Sequence, residues 1–240
     1  MSSEQVIVRM EERICWLTLN RPEVHNAMDS AMQSQLVETL QALDKEQGIT
    51  VVVMRGSGKS FCSGADLKSL GDGRAMVDRN VSAQQPKLFE VIANLKKVVV
   101  ASVHGAALGG GLGIVAASDL AIASEDAIFG LPEIDLGYFP MAMIGPIMRS
   151  VGRKSALELF FTGKRIDAKE AKHIGLVNSV VPRDRLEEST LELAKILASK
   201  DVDPITLGKE ALAITMDMDY SKVLRYSAEM LVVAATLKKT

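Results

Sequence analysis

Two glycine-bearing turns and one carboxylate are the residues with which this sequence could do chemistry. In Phe61-Cys62-Ser63-Gly64-Ala65-Asp66-Leu67, Gly64 permits a tight turn and Asp66 is of a type that caps a helix, here expected to start near Leu67. Gly109-Gly110-Gly111 opens a run of small residues in the same manner. A turn running into a helix leaves backbone N–H groups unpaired and pointing outward, and glycine lets a ligand approach the main chain. Two such turns brought together would bind an oxygen on which negative charge develops. Each taken singly reads first as an ordinary tight turn. Glu133 lies among apolar neighbours in Phe129-Gly130-Leu131-Pro132-Glu133-Ile134. If buried, it would have a raised pKa suited to proton transfer near neutrality; if exposed, it is a charge at a helix start. Asp135 reads as a structural hydrogen-bond acceptor or a solvated charge.

Competing chemistries fit less well. Gly58-Lys59-Ser60 suggests a phosphate loop, but Val53 stands where that motif needs its first glycine, and no helix start follows Ser60. Gly111-x-Gly113-x-x-Ala116, with Glu133 20 residues after Gly113, fits the loose dinucleotide fingerprint. Gly111 comes eight positions after Val103, however, whereas the fingerprint glycine should follow the strand directly. His25, His104 and His173 pair with no nucleophile, and there is no Gly-x-Ser-x-Gly elbow. Cys62 has no evident base beside it and reads as a small buried residue. With Cys15 as the only other cysteine, the sequence carries no disulfide framework and no spaced metal cluster.

The elements that must position these groups follow from hydrophobic pattern. Strands are expected at Val6 to Arg9 and Ile14 to Asn20, forming a hairpin across Glu11-Glu12-Arg13. Met32, Leu36, Leu40 and Leu43 recur at helical spacing between Ser30 and Asp44. Thr50 to Met54 and Val98 to Val103 read as buried strands, Leu88 to Leu95 as helix, and Leu120 to Ala123 as a further strand. Beyond Pro140 the chain turns mostly helical: Ala142 to Val151, Lys154 to Phe161, Ala168 to His173, Arg185 to Ser199, and most of Pro204 to Lys239. Strands alternating with helices predict an α/β core, here with a helical tail.

Composition narrows the classes. The 240 residues are 48% hydrophobic, enough for a globular core, and 28 basic against 30 acidic residues leave a net charge of -2. That balance supplies no field for nucleic acid or an anionic membrane surface. The N-terminus has no secretory pattern, so a cytoplasmic protein with free thiols is expected. A rival reading comes from Val98 to Ser118, 21 residues without a formal charge, with Gly105, Gly109 and Gly113 at GxxxG spacing. Five glycines, His104, the lack of an aromatic belt and the closing Asp119 argue against a membrane helix.

Taken in order, several motifs resemble the crotonase (enoyl-CoA hydratase/isomerase) superfamily. They are Asn20-Arg21-Pro22 with Asn26-Ala27-Met28, Phe61-x-x-Gly64-Ala65-Asp66-Leu67, Ala107-Leu108-Gly109-Gly110-Gly111, and Leu131-Pro132-Glu133-Ile134-x-Leu136-Gly137. Leu159-Phe160-Phe161-Thr162-Gly163, Ala168-x-x-Ala171 and Gly175-Leu176-Val177 fit as well, so the resemblance runs from about Val6 to about Thr236.

The resemblance implies a spiral of ββα units over residues 1–185 and a helical trimerisation region over 186–240, assembling as a homotrimer or dimer of trimers. It implies an acyl-CoA substrate, no metal and no other cofactor. It carries the oxyanion N–H donors onto Ala65 and Gly110, with Glu133 as acid/base. CoA-thioester contacts are implied at Val24, His25, Ala27, Ser63, Ala65, Asp66, Leu67 and Lys68, and at Gly109, Gly110, Pro132 and Glu133. Hydratases of this family carry a further glutamate where Gly113 stands here. They also continue beyond the equivalent of Lys238-Lys239-Thr240 into an acidic turn, an aromatic residue and a basic tail. A single glutamate leads to the expectation of double-bond isomerisation through an enolate. Hydration, thioester hydrolysis and a non-catalytic acyl-CoA-binding subunit are the alternatives.

Overall fold

The computed structural model describes residues 4–66 and 83–237. Its main sheet has six strands: β1 (Val6–Glu11), β2 (Ile14–Leu19), β3 (Val51–Gly56), β4 (Val98–Val103), β6 (Leu120–Ser124) and β9 (Ser179–Val181), in the order β1-β2-β3-β4-β6-β9. The opening hairpin is antiparallel and pairs Val6 with Leu19 through to Glu11 with Ile14; every later pairing in the sheet is parallel. All six residues of β2 and of β4 are buried, the pattern of strands covered on both faces.

Alternation sorts those side chains into two layers. Cys15, Leu17 and Leu19 of β2 join Val52, Met54, Val99 and Ala101 in the larger core. That face is covered by α1 (Ser30–Lys45), through Leu36, Leu40 and Leu43, and by α2 (Gln84–Asn94), through Leu88, Phe89 and Ile92. Asp29 starts α1 by accepting a bond from Met32 N at 2.8 Å. On the other face Ile14, Trp16, Val51, Val53, Val98 and Val100 pack against Ala194 of a long C-terminal helix, Leu186–Ala198.

A second, smaller layer holds the candidate chemistry. Here β5 (Ala106–Leu108), β7 (Ile128–Gly130) and β8 (Ile166–Asp167) form a three-stranded sheet, prolonged by single bridges from Ala107 to Cys62 and from Ala65 to Met28. The chain therefore climbs repeatedly from a main-sheet strand to a short second-layer strand and then into a helix: β2, residues 27–28, α1; β4, β5, α3 (Gly110–Ala117). This is the expected spiral of ββα units. β5, β7, β8 and β9 have two or three residues each, too few to carry a period, and the sequence did not announce them.

After α3, the helices are α4 (Ile144–Ser150), α5 (Arg153–Thr162), α6 (Ala168–His173), α7 (Leu186–Ala198), α8 (Val202–Thr215) and α9 (Tyr220–Leu237). The helix expected from Ala142 begins as a 3-10 turn, Met141–Met143. The helical stretch expected from Pro204 to Lys239 breaks at residues 216–219, where Asp217 pairs with Arg149 of α4 at 2.5 Å. The apolar stretch from Val98 to Ser118 is β4, β5, α3 and their connections, and no described helix is long and apolar enough to cross a membrane.

Candidate active site

The two glycine turns meet. Gly64, at φ +100, would need its Cβ only 3.4 Å from Gly110 N and 3.0 Å from Leu108 O. A side chain there would be tight against Leu108 O, and the left-handed backbone favours glycine. The Gly64 carbonyl accepts from Met28 N at 2.8 Å, so across the trans peptide the Ala65 N–H points the other way. Gly109 has φ 50 and ψ -119 and donates to Gly130 O at 2.9 Å, anchoring the start of α3 to β7. Its own carbonyl accepts from Gly113 N at 3.0 Å, which turns the Gly110 N–H outward from the helix start. Neither the Ala65 nor the Gly110 N–H has an acceptor among the described residues.

Glu133 leans over this start. It sits on the 3-10 turn Pro132–Leu136, held by Tyr138 N to Glu133 O at 2.9 Å and closed by Gly137 at φ 81. Its Oε1 lies so close to Gly109 Cα that any Cβ there would collide with it. Its Oε2 is buried with no hydrogen-bond partner among the described residues. Burial pushes the carboxyl above its ordinary pKa, opposed by its own backbone N–H. An acid poised this way can exchange a proton with an apolar carbon acid beside it.

The loop before α1 forms the opposite wall. Asn26 is fully buried and clamps it: Nδ2 donates to Ser57 O (2.9 Å), Ser60 O (2.8 Å) and Phe61 O (3.2 Å), while Oδ1 accepts from Arg21 N (2.8 Å). Arg21 pairs with Asp29 at 3.2 Å and Asp66 at 3.0 Å, tying this loop to the Ala65 turn. Asn26 and the exposed His25 both adopt positive φ. His25 Nδ1 lies 3.1 Å from Ser60 Oγ, and its carbonyl accepts from Ser63 N at 3.0 Å. Ser63 Oγ donates to Val24 O at 3.4 Å, and Ala27 is buried beneath. Val24, His25, Ala27, Ser63, Ala65 and Asp66 thus lie along one neighbourhood, with Gly109, Gly110, Pro132 and Glu133 across from Ala65. Leu67 and Lys68, and the helix Asp66 was expected to cap, lie outside the described residues.

Two further residues border the site that sequence reasoning did not single out. A Cβ at Gly113 would overlap the Phe89 ring, 2.8 Å from Cε1, so aromatic carbon fills the space beside Gly113. One turn earlier on α2, Gln85 sets its carboxamide against Gly110. The Gln85/Phe89 spacing of four matches the Gly110/Gly113 spacing of three on α3, a helix–helix contact with no local signal in either segment. A cavity of about 800 Å³ opens beyond Phe89, lined also by Val115, Met141, Pro146, Leu176 and Leu212. It lies towards the far end of α3, away from Glu133 and Ala65. Among the described residues no group of His, Cys, Asp or Glu side chains is placed to hold a metal ion.

The site thus combines a half-buried carboxyl against Gly109 with the unpaired N–H groups of Ala65 and Gly110, at the head of a small-residue helix within a two-layer ββα spiral. The enoyl-CoA hydratase/isomerase family profile matches residues 9–239, and the chain belongs to that family, whose enzymes act on CoA thioesters. It is 37% identical over 231 residues to a probable enoyl-CoA hydratase of Rhizobium meliloti (strain 1021), covering 96% of this chain and 89% of that one. It is 35% identical over 209 residues to the 2,3-dehydroadipyl-CoA hydratase of Escherichia coli (strain K12), covering 87% and 81%. The crystal structure of an enoyl-CoA hydratase from Mycobacterium smegmatis superposes with a TM-score of 0.92 at 30% identity, over 99% of this chain and 97% of that one.

Proposed function

We propose that this enzyme moves the double bond of a 3-enoyl-CoA to the 2-position, with Glu133 as the single acid/base. Glu133 takes a proton from C2, and the electron pair passes through C1 onto the thioester oxygen as an enolate. The N–H groups of Ala65 and Gly110 hold that oxygen in place without reorganisation. The enolate then collapses, the double bond forms between C2 and C3, and Glu133 returns the proton to C4. No atom is gained or lost.

The observation that carries this reading is the Phe89 ring against Gly113. Hydration needs a water held beside C3, a task that a second carboxylate at position 113 would share. Proton transfer along one face of an enolate needs only one mobile acid. The relatives, which are described as enoyl-CoA hydratases, favour a second reading, hydration of a 2-enoyl-CoA. The test is a direct comparison on the purified enzyme: 3-hexenoyl-CoA isomerisation against crotonyl-CoA hydration, with products resolved by mass. Faster isomerisation supports the proposal. Efficient hydration with no double-bond migration overturns it.

Within this reading the CoA moiety lies along Val24, His25, Ala27, Ser63 and Asp66, and residues 1–185 carry the site. Residues 186–240 serve association into a trimer. Support comes from the apolar side chains that α8 and α9 leave exposed, among them Leu212 (68%), Leu231 (71%) and Val232 (68%). Sedimentation should give a trimer or hexamer, and L231E/V232E should shift it towards monomer. The two unpaired cysteines, both buried, fit a reducing cytoplasm.

A further inference from the structure

Gln85, the second residue of α2, is half-buried and sets its carboxamide against Gly110. A Cβ at Gly110 would lie 2.6 Å from Gln85 Nε2 and 3.5 Å from Cδ, with Met28 Cε 2.8 Å away on another side. Neighbouring Gln84 uses its Nε2 on Ser34 Oγ at 3.5 Å, whereas the Gln85 carboxamide has no hydrogen-bond partner among the described residues. Its position is set by packing: Leu88 and Phe89, in the following turn, are buried in the main core, and Phe89 abuts Gly113.

Helix geometry relates this contact to chemistry. In an α-helix both the N–H bonds and the Cα–Cβ bonds lean towards the N-terminus. The direction in which Gly110 lacks a side chain is therefore close to the direction in which its N–H points. An oxygen held by that N–H lies beside the space bordered by Gln85 Nε2. An anionic oxygen selects the donating –NH₂ of a carboxamide over its carbonyl.

We propose that Gln85 is a catalytic residue, its Nε2–H serving as a third hydrogen-bond donor to the thioester oxygen alongside the N–H groups of Ala65 and Gly110. This rests on the reading of the site as one that forms a CoA-thioester enolate, and applies whether that enolate is used for isomerisation or hydration. A neutral side-chain donor of this kind adds to the stabilisation of developing charge while contributing little to ground-state binding. It also explains why residue 110 must be glycine beyond the needs of its own N–H: a side chain there would push the carboxamide away.

The test uses the intact protein and a ligand that enolises without turning over. Acetoacetyl-CoA bound to wild type is titrated with pH and its enolate read by near-ultraviolet absorbance. Butyryl-CoA affinity reports ground-state binding. Gln85→Met keeps side-chain length and removes the donor. It should lower the bound enolate-to-ketone ratio by about 10²-fold, in line with loss of one oxyanion donor, with butyryl-CoA affinity within about threefold of wild type. Gln85→Glu should suppress the enolate further by opposing its charge. An unchanged enolate ratio in a folded Gln85→Met protein overturns the proposal. So does a Gln85→Glu protein that keeps the enolate and gains crotonyl-CoA hydration, because Gln85 then stands where water is held. Wild type that binds acetoacetyl-CoA without raising its enolate fraction would sink the oxyanion-hole reading itself, a result visible before any variant is made.

Discussion

Replacing Glu133 with glutamine should separate activity from stability, moving them in opposite directions. The carboxyl lies over Gly109 with a buried Oε2 that has no hydrogen-bond partner among the described residues, and burial raises its pKa. Glutamine keeps shape and volume but cannot take up a proton, so turnover should fall by about 10²–10⁴. That is about 3–5 kcal/mol of transition-state stabilisation at roughly 1.4 kcal/mol per factor of ten. Affinity for butyryl-CoA should stay within about threefold, since the backbone donors are untouched. The stability effect follows from linkage. A folded-state pKa above the unfolded value means that the native protein binds the proton more tightly, so this group's contribution is fully present at acid pH. It is lost as pH rises from the ordinary carboxylate range through the raised pKa. The variant has no charge to bury, and should gain stability relative to wild type as pH rises from 4.5 to 8. Urea unfolding across that range measures the gap, and steady-state assays measure the rate. The acidic limb of kcat/KM in wild type should likewise lie above the ordinary carboxylate range. Near-wild-type turnover, or a stability gap that does not change with pH, would refute the assignment of Glu133 as a desolvated acid/base.

Other substitutions test the surroundings. Gly113→Glu should not raise hydration by itself, because its side chain meets the Phe89 ring; overpacking should cost about 1–3 kcal/mol. Combined with Phe89→Ala it gains room, and hydration of crotonyl-CoA should then exceed that of either single variant; mass-resolved product analysis decides. Gly110→Val drives a branched side chain into Gln85 Nε2 and Met28 Cε, and should reduce kcat by about 10²–10³ while the fold loses only a few kcal/mol by chemical denaturation. A folded Gly110→Val protein with a normal rate would remove Gly110 from the oxyanion hole. Asn26→Ala strips one buried carboxamide from three carbonyls and the Arg21 N–H, so thermal unfolding should report a loss on the order of 3 kcal/mol.

What the sequence determined by itself is local. Gly64 and Gly109 read as turns because their neighbours already specify a strand entering and a helix leaving. Val98–Val103 reads as a buried strand because its apolar run is long enough to count. Pro132-Glu133 marks a carboxylate at the mouth of an apolar segment, and Glu133 proves to be half-buried, with a buried Oε2 and a raised pKa. The ordered set of motifs carried the spiral of ββα units and family membership. Tertiary structure alone decided what these parts face. The approach of Gly64 to Gly110, close enough that a Cβ on Gly64 would lie 3.4 Å from Gly110 N, joins turns 46 residues apart, through pairings of Met28 with Ala65 and Cys62 with Ala107 that are single bridges. Such contacts have no period, and their register is set by the core beneath them. Phe89 could be recognised as apolar, but that its ring abuts Gly113 depends on how α2 crosses α3. Gln85 left no mark at all: a glutamine in a first helical turn is ordinary, and only the absence of a side chain at Gly110 turns it towards the candidate chemistry. A missing Cβ is a space, and its occupant comes from elsewhere in the chain.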